Sequence, residues 1–133
     1  KRLDTAGADV LEIGVPFSDP MADGVTIQRS SQVAIEKGVS LTWILDELAR
    51  RDFELTAPVL LMSYLNPLLA FGFDALAARA AEVGLDCQPA NDIGAALEDL
   101  LATQPAPMRI LICGSLYLAG AVLARNGCAS SPL

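Results

Sequence analysis

Two short, almost continuously apolar runs most constrain this chain: ADVLEIGV at residues 8–15 and VLLMSYL at residues 59–65. Such runs suit strands buried on both faces of a parallel sheet. The sequence between them has a helical period. TIQRSSQVAIEKG, residues 26–38, brings Ile27, Ser31, Ala34 and Ile35 near one face, with Gly38 as its C-terminal stop. Ser40 is placed to cap a second helix, LTWILDELARR, in which Leu41, Ile44, Leu45 and Leu48 form a stripe at spacings i, i+3, i+4 and i+7. Strand, helices, strand is the rhythm of a parallel α/β fold.

Pro58 opens the second strand and Asn66-Pro67 is expected to end it. GFDALAARAAEVG, residues 72–84, reads as an Ala-rich helix closed by Gly84. Where a third strand should follow at once, the chain runs LDCQPAND, which is polar and broken by Pro89. Asp92 can cap a further helix, IGAALEDLLATQ, and PAP makes a stiff turn. MRILICG, residues 108–114, then reads as a third strand, and residues 115–127 as a last helix from Ser115 to Gly127. The expected fold is therefore α/β: β-α-α-β-α followed by an α-β-α tail, with three short parallel strands flanked by helices. Charge shifts along it, with 13 acidic and 7 basic groups in residues 1–86 but 3 and 2 in residues 87–133. That places a boundary near Asp86 to Pro89 and two domains, 1–86 and 87–133.

Composition removes several functions. A net charge of −7 with no basic cluster excludes a nucleic-acid role built on phosphate neutralisation. With no histidine anywhere, His-based metal sites, Ser-His-Asp triads and Cys-His dyads are ruled out together. Cys87, Cys113 and Cys128 are odd in number and widely spaced, which fits free thiols in a reducing, cytoplasmic setting better than a disulfide framework. No apolar run reaches the roughly 18 residues of a membrane span, and no signal peptide opens the sequence. A start at Lys1, almost directly on a strand, reads as part of a longer chain.

One stretch carries chemistry. LEIGVPFSDPMADG, residues 11–24, sets Glu12 inside the apolar strand and Asp23 in a loop stiffened by Pro16 and Pro20. Alternation puts Ala8, Val10, Glu12 and Gly14 on one side of the strand and Asp9, Leu11, Ile13 and Val15 on the other. Ligands of α/β folds bind at the C-terminal strand ends, near Glu12. A carboxyl enclosed there by apolar groups favours its neutral form and can exchange a proton near neutral pH, while a more solvated Asp23 completes an acid/base pair. The pattern equally allows Glu12 as a surface residue, and Ser18, Asp19 and Asp23 as turn residues or a helix cap.

GADVLEIGVPFSDPMADGVTIQ, continued by LLMSYLNPLLAFG, strongly resembles the tryptophan synthase alpha chain family, over roughly residues 3–86. The resemblance implies part of a (β/α)₈ barrel that cleaves indole-3-glycerol phosphate by a retro-aldol step to indole and glyceraldehyde 3-phosphate. It matches Glu12 to the family's catalytic glutamate and Asp23 to its catalytic aspartate. Tyr64 lies where the family has a tyrosine lining the indole site, and a core tyrosine is the other reading. Glu12 would then supply and remove protons, and Asp23 would accept the ring N–H and stabilise positive charge on the ring. No metal or organic cofactor is implied. The partner is a beta chain, in an alpha2-beta2 type complex, to which pyridoxal phosphate belongs.

This resemblance ends after EVGLD, and the later barrel units with their glycine-rich phosphate loops are not in the sequence, which implies impaired turnover. RILICGSLYLAGAVLARNG, residues 109–127, resembles instead the C-terminal strand and helix of the bacterial folylpolyglutamate synthase/dihydrofolate synthase family, extended to about residue 90 if NDIGAALEDLLA is included. No Gly-Lys-Ser/Thr follows Gly114-Ser115, so a strand-to-helix turn is favoured there over a phosphate cradle. A non-catalytic α/β fusion fragment, or a folate-ligase-like remnant, is the alternative to a lyase.

Overall fold

The structure, a computed structural model, describes residues 1–85, 87–103, 107–108, 110–112 and 116–127. The chain divides into two units, Lys1–Gln88 and Pro89–Leu133. The first contains α1 (Arg2–Thr5), β1 (Leu11–Gly14), α2 (Val25–Glu36), α3 (Leu41–Arg50), β2 (Val59–Met62), α4 (Leu65–Phe71) and α5 (Phe73–Glu82). The second contains α6 (Ile93–Thr103) and α7 (Leu116–Arg125).

β1 and β2 pair in parallel, with Leu11 opposite Val59, Glu12 opposite Leu60, Ile13 opposite Leu61 and Gly14 opposite Met62. The ladder is closed at its two ends by the Leu11 N–H donating to the Pro58 carbonyl at 2.9 Å and the Val15 N–H donating to the Met62 carbonyl at 2.8 Å. In-register pairing puts Ile13, Val15, Val59 and Leu61 on one face, and that face carries the core. Val15 and the stripe residues Leu41, Ile44 and Leu45 of α3 pack there with Leu76 and Ala80 of α5, and with Val83 and Leu85 behind it. Leu45 is fully buried.

Local signals fix the helix ends. The Ser40 hydroxyl accepts the Trp43 N–H at 3.2 Å and starts α3. Gly38 and Gly84 take φ of +81° and +79° after α2 and α5, a backbone region that only glycine enters without strain. Arg79 of α5 bonds Asp46 of α3 at 2.8 Å and Glu82 at 2.6 Å, while the Arg51 guanidinium donates to the carbonyls of Leu48 and Val83. The Asp4 carboxylate, on α1, accepts the N–H groups of Thr56 and Ala57 and the Thr56 hydroxyl, at 2.8–3.1 Å. It ties the segment before β1 to the entrance of β2.

Several expectations need correction. Asn66-Pro67 does not simply stop the second strand. β2 ends at Met62, and both residues lie in the first turn of α4, where a missing proline N–H leaves no helical bond unmade. α2 buries none of its residues, although Ile27, Ser31, Ala34 and Ile35 gather near one face; Ser31 and Ala34 are half-buried. The expected third strand does not occur among the described residues: of that stretch, 108 and 110–112 are described and are irregular, and no strand besides β1 and β2 occurs among the described residues. Arg109, Cys113, Gly114 and Ser115 lie outside the described residues, and with them the Ser115 cap and the turn at Gly114.

In the second unit Asp92 caps α6, accepting the N–H groups of Gly94 and Ala95 at 2.6 and 3.0 Å, and lies 3.8 Å from the Arg125 guanidinium of α7. These bonds hold its carboxyl below the ordinary value. Cys87 is free and exposed, whereas Cys113 and Cys128 lie outside the described residues. No helix among the described residues is long and apolar enough to cross a membrane.

Candidate active site at the strand ends

The face of the sheet opposite the core carries Glu12, Gly14, Leu60 and Met62. Glu12 is exposed there and makes no hydrogen bond or ion pair among the described residues. Its placement in an apolar strand predicts a carboxyl enclosed by apolar groups. A two-stranded sheet covered on one face leaves the other open, so the enclosure is not formed. Glu12 instead lines an open, mainly apolar cavity of about 500 Å³, with Leu3, Val10 and Phe53 and the N-terminal Lys1 and Arg2.

The loop from β1 to α2 is more ordered than its position suggests. Pro20 is buried, the Met21 N–H donates to the Asp19 carbonyl at 2.8 Å, and the Asp23 N–H donates to the Pro20 carbonyl at 3.0 Å. Ser18 donates to the Asp19 carboxylate at 2.6 Å, so these two residues serve the turn. Asp23 is not a helix cap: Gly24 occupies the N-cap of α2 and no side chain caps it. Of the three readings left open for Asp23, a capping role is thereby removed.

Tyr64 stands two residues beyond the end of β2, half-buried, against this loop. Its hydroxyl accepts the Ala22 N–H at 3.1 Å, and its ring lies 5.1 Å from that of Phe17, tilted by 30°. The phenol is held above its ordinary pKa. Partial burial disfavours the phenolate most, the Ala22 N–H works against the rise, and the neighbouring Asp23 carboxylate adds to it as acceptor and as negative charge. The structure thus brings Asp23 and Tyr64 together at the C-terminal ends of the strands. Glu12 sits further back on β1, on the open face.

Sequence reading missed Gln28, whose side-chain amide donates to the Asp23 carbonyl at 2.9 Å and the Pro20 carbonyl at 3.4 Å. A glutamine one turn inside a helix that follows a Pro- and Asp-rich loop is the signal that points to it. No cluster of three or more metal-ligating side chains occurs among the described residues.

The family model for the tryptophan synthase alpha chain matches residues 1–104. The chain belongs to the tryptophan synthase alpha chain family. Among its relatives, the alpha chain of Nitratidesulfovibrio vulgaris (strain DP4) is 44% identical over 112 residues, which is 84% of this chain and 41% of that protein. The alpha chain of Burkholderia thailandensis is 54% identical over 85 residues, 63% of this chain and 31% of its own length. Among solved structures, the alpha subunit from Legionella pneumophila aligns with a TM-score of 0.60 at 42% identity, covering 63% of this chain and 32% of that one. Mycobacterium tuberculosis tryptophan synthase aligns with a TM-score of 0.58 at 33% identity, covering 76% and 40%. The chain therefore spans 41% and 31% of the length of these two curated relatives. The β1–α2–α3–β2 unit is a portion of the family's (β/α)₈ barrel, in which the open face of the sheet corresponds to the barrel interior. The family match runs to residue 104 and takes in α6, beyond the boundary expected near Asp86 to Pro89.

Proposed function

We propose that the unit Lys1–Gln88 carries the acid/base part of an indole-3-glycerol phosphate lyase, acting in tryptophan biosynthesis. The observation that carries the reading is the contact of the Asp23 loop with Tyr64 at the C-terminal ends of the strands, with Glu12 on the open face of β1. Glu12 donates a proton to the indole carbon that bears the side chain and takes one from the hydroxyl on the attached carbon. The bond between those two carbons breaks, leaving indole and an aldehyde. Asp23, as the anion, accepts the ring N–H and offsets positive charge on the ring. Tyr64 lines the space for the ring. None of these steps calls on a metal or organic cofactor; pyridoxal phosphate belongs to a beta chain, the partner that this family implies.

Turnover is impaired. Glu12 is exposed, so water competes for it and screens it. The chain also spans well under half of its relatives' length, and remote binding energy drives chemistry at the reacting centre. Residues 109–127 we read as the end of a folate-ligase-like segment without a catalytic role, in a domain that begins near residue 87. The odd number and wide spacing of the cysteines support a cytoplasmic setting.

Indole release from indole-3-glycerol phosphate tests the reading, with Glu12→Gln as control and with a beta chain present or absent. Slow release that falls by roughly 10²-fold or more in the control is expected. Equal release from both proteins removes Glu12 from the chemistry. A rise on adding the beta chain supports retained partner contact, and no change removes the partner from the reading.

A further inference from the structure

The loop that presents Asp23 is gripped from two different elements. From the β2 side, the Tyr64 hydroxyl accepts the Ala22 N–H, one residue before Asp23, and its ring rests on Phe17 where the loop begins. From the α2 side, the Gln28 amide donates to the carbonyl of Asp23 itself and reaches the Pro20 carbonyl, which also receives the Asp23 N–H. We propose that Gln28 and Tyr64 are positioning residues that clamp the backbone at Asp23 between α2 and the start of α4 and so aim its carboxylate at the N–H of an indole ring. The aim rests on the role given to Asp23 above, whereas the clamp itself does not.

The chemistry of the grip is specific. Gln28 acts as a donor toward two carbonyls, a role that a carboxylate at the same place cannot fill. Tyr64 acts as an acceptor toward an N–H, which leaves its own proton free to face the Asp23 carboxylate. A backbone held on both sides fixes where its carboxylate can reach, and an error of about 1 Å at such a group costs up to 10²-fold in a reaction. Gln28 needs no contact with the substrate for this, and for Tyr64 the role comes in addition to lining the space for the ring.

Two substitutions test it. Tyr64→Phe keeps the ring on Phe17 and removes the acceptor; Gln28→Leu keeps the bulk of an exposed side chain and removes the donor. Amide hydrogen exchange by NMR is expected to quicken about fivefold at Ala22 in Tyr64→Phe, where that N–H loses its acceptor, and to a smaller extent at Asp23 in Gln28→Leu, where the N–H keeps its bond to the Pro20 carbonyl but the turn loses the Gln28 donor on the Asp23 and Pro20 carbonyls. The Leu11 and Val15 amides, in the strand ladder, should keep their protection and report that each variant folds. The second readout is the preference for indole over 1-methylindole in chemical-shift titrations, a ratio that simple destabilisation does not move. The parent chain should prefer indole by roughly tenfold, and both variants should lose most of that preference.

Unchanged exchange at Ala22 and Asp23 overturns the clamp. Faster exchange with the indole preference intact overturns the positioning role. If the parent chain itself shows no preference, the assignment of Asp23 to the ring N–H fails, and exchange alone still decides whether the clamp exists.

Discussion

The two faces of the β1–β2 sheet differ in everything but length. One carries Ile13, Val15, Val59 and Leu61 against α3 and α5, and holds the buried residues of the core. The other carries Glu12, Gly14, Leu60 and Met62, none of which is buried. Stability is concentrated on the first face and the candidate chemistry on the second. In a closed barrel both faces are covered, so one pattern of apolar residues serves both. Here the contrast separates residues that hold the fold from residues placed for a reaction.

The sharpest way to break that contrast is to cut into each face in turn. Leu45→Ala removes a fully buried side chain of α3 and is expected to cost about 2–5 kcal/mol in a urea melt. Leu60→Ala, on the half-exposed open face, should cost less than half of that. Equal losses would mean that the open face is covered in solution, by a second copy or by chain beyond this sheet.

Gly84→Ala probes the junction that closes α5 onto the core. With φ at +79°, a side chain there costs about 1–2 kcal/mol, and its Cβ would sit 3.4 Å from the Arg51 guanidinium. A neutral result would show that the turn after α5 has room to relax, and that the helix is held by Leu76 and Ala80 alone.

These residues mark what could be read from the sequence and what could not. Ser40, Gly38, Gly84 and Asp92 were legible because each acts within four residues of itself, as a cap or a left-handed stop. The α3 stripe was legible for the same reason, since its period lies inside one element. α4 was hidden by Pro67, which reads as a breaker but sits in a first turn where it breaks nothing. The run at residues 108–114 has the composition of a strand, and composition does not say whether a partner edge exists. Glu12 was placed on the correct face, yet its exposure depends on how many strands surround it, a long-range property. Asp4 and Gln28 went unnoticed because their bonds depend on where distant or looped segments return.

Asp4 offers a smaller test that depends on pH. Its carboxylate accepts the Ala57 N–H, then the Thr56 hydroxyl and N–H, and these bonds hold its pKa below the ordinary 3.8. A depressed folded value means that the stabilisation is present above 3.8 and is lost as pH falls below it, through the folded value. The Tm of the parent chain should therefore drop more steeply than that of Asp4→Asn between about pH 5 and pH 2.5, and the two should converge at the acid end. Parallel curves would mean that the link between α1 and the entrance of β2 does not persist in solution.

The smallest expected effect is the most telling for the two-face contrast. Glu12→Gln changes one exposed side chain that bonds to nothing among the described residues, so its stability should stay within about 0.5 kcal/mol of the parent. The same substitution is expected to remove indole release. A residue whose loss is silent for folding and severe for chemistry is one that the fold presents without depending on it. If Glu12→Gln instead destabilises the chain by more than about 1 kcal/mol, the carboxylate has a partner in solution, and the inner face is less open than the sheet alone makes it.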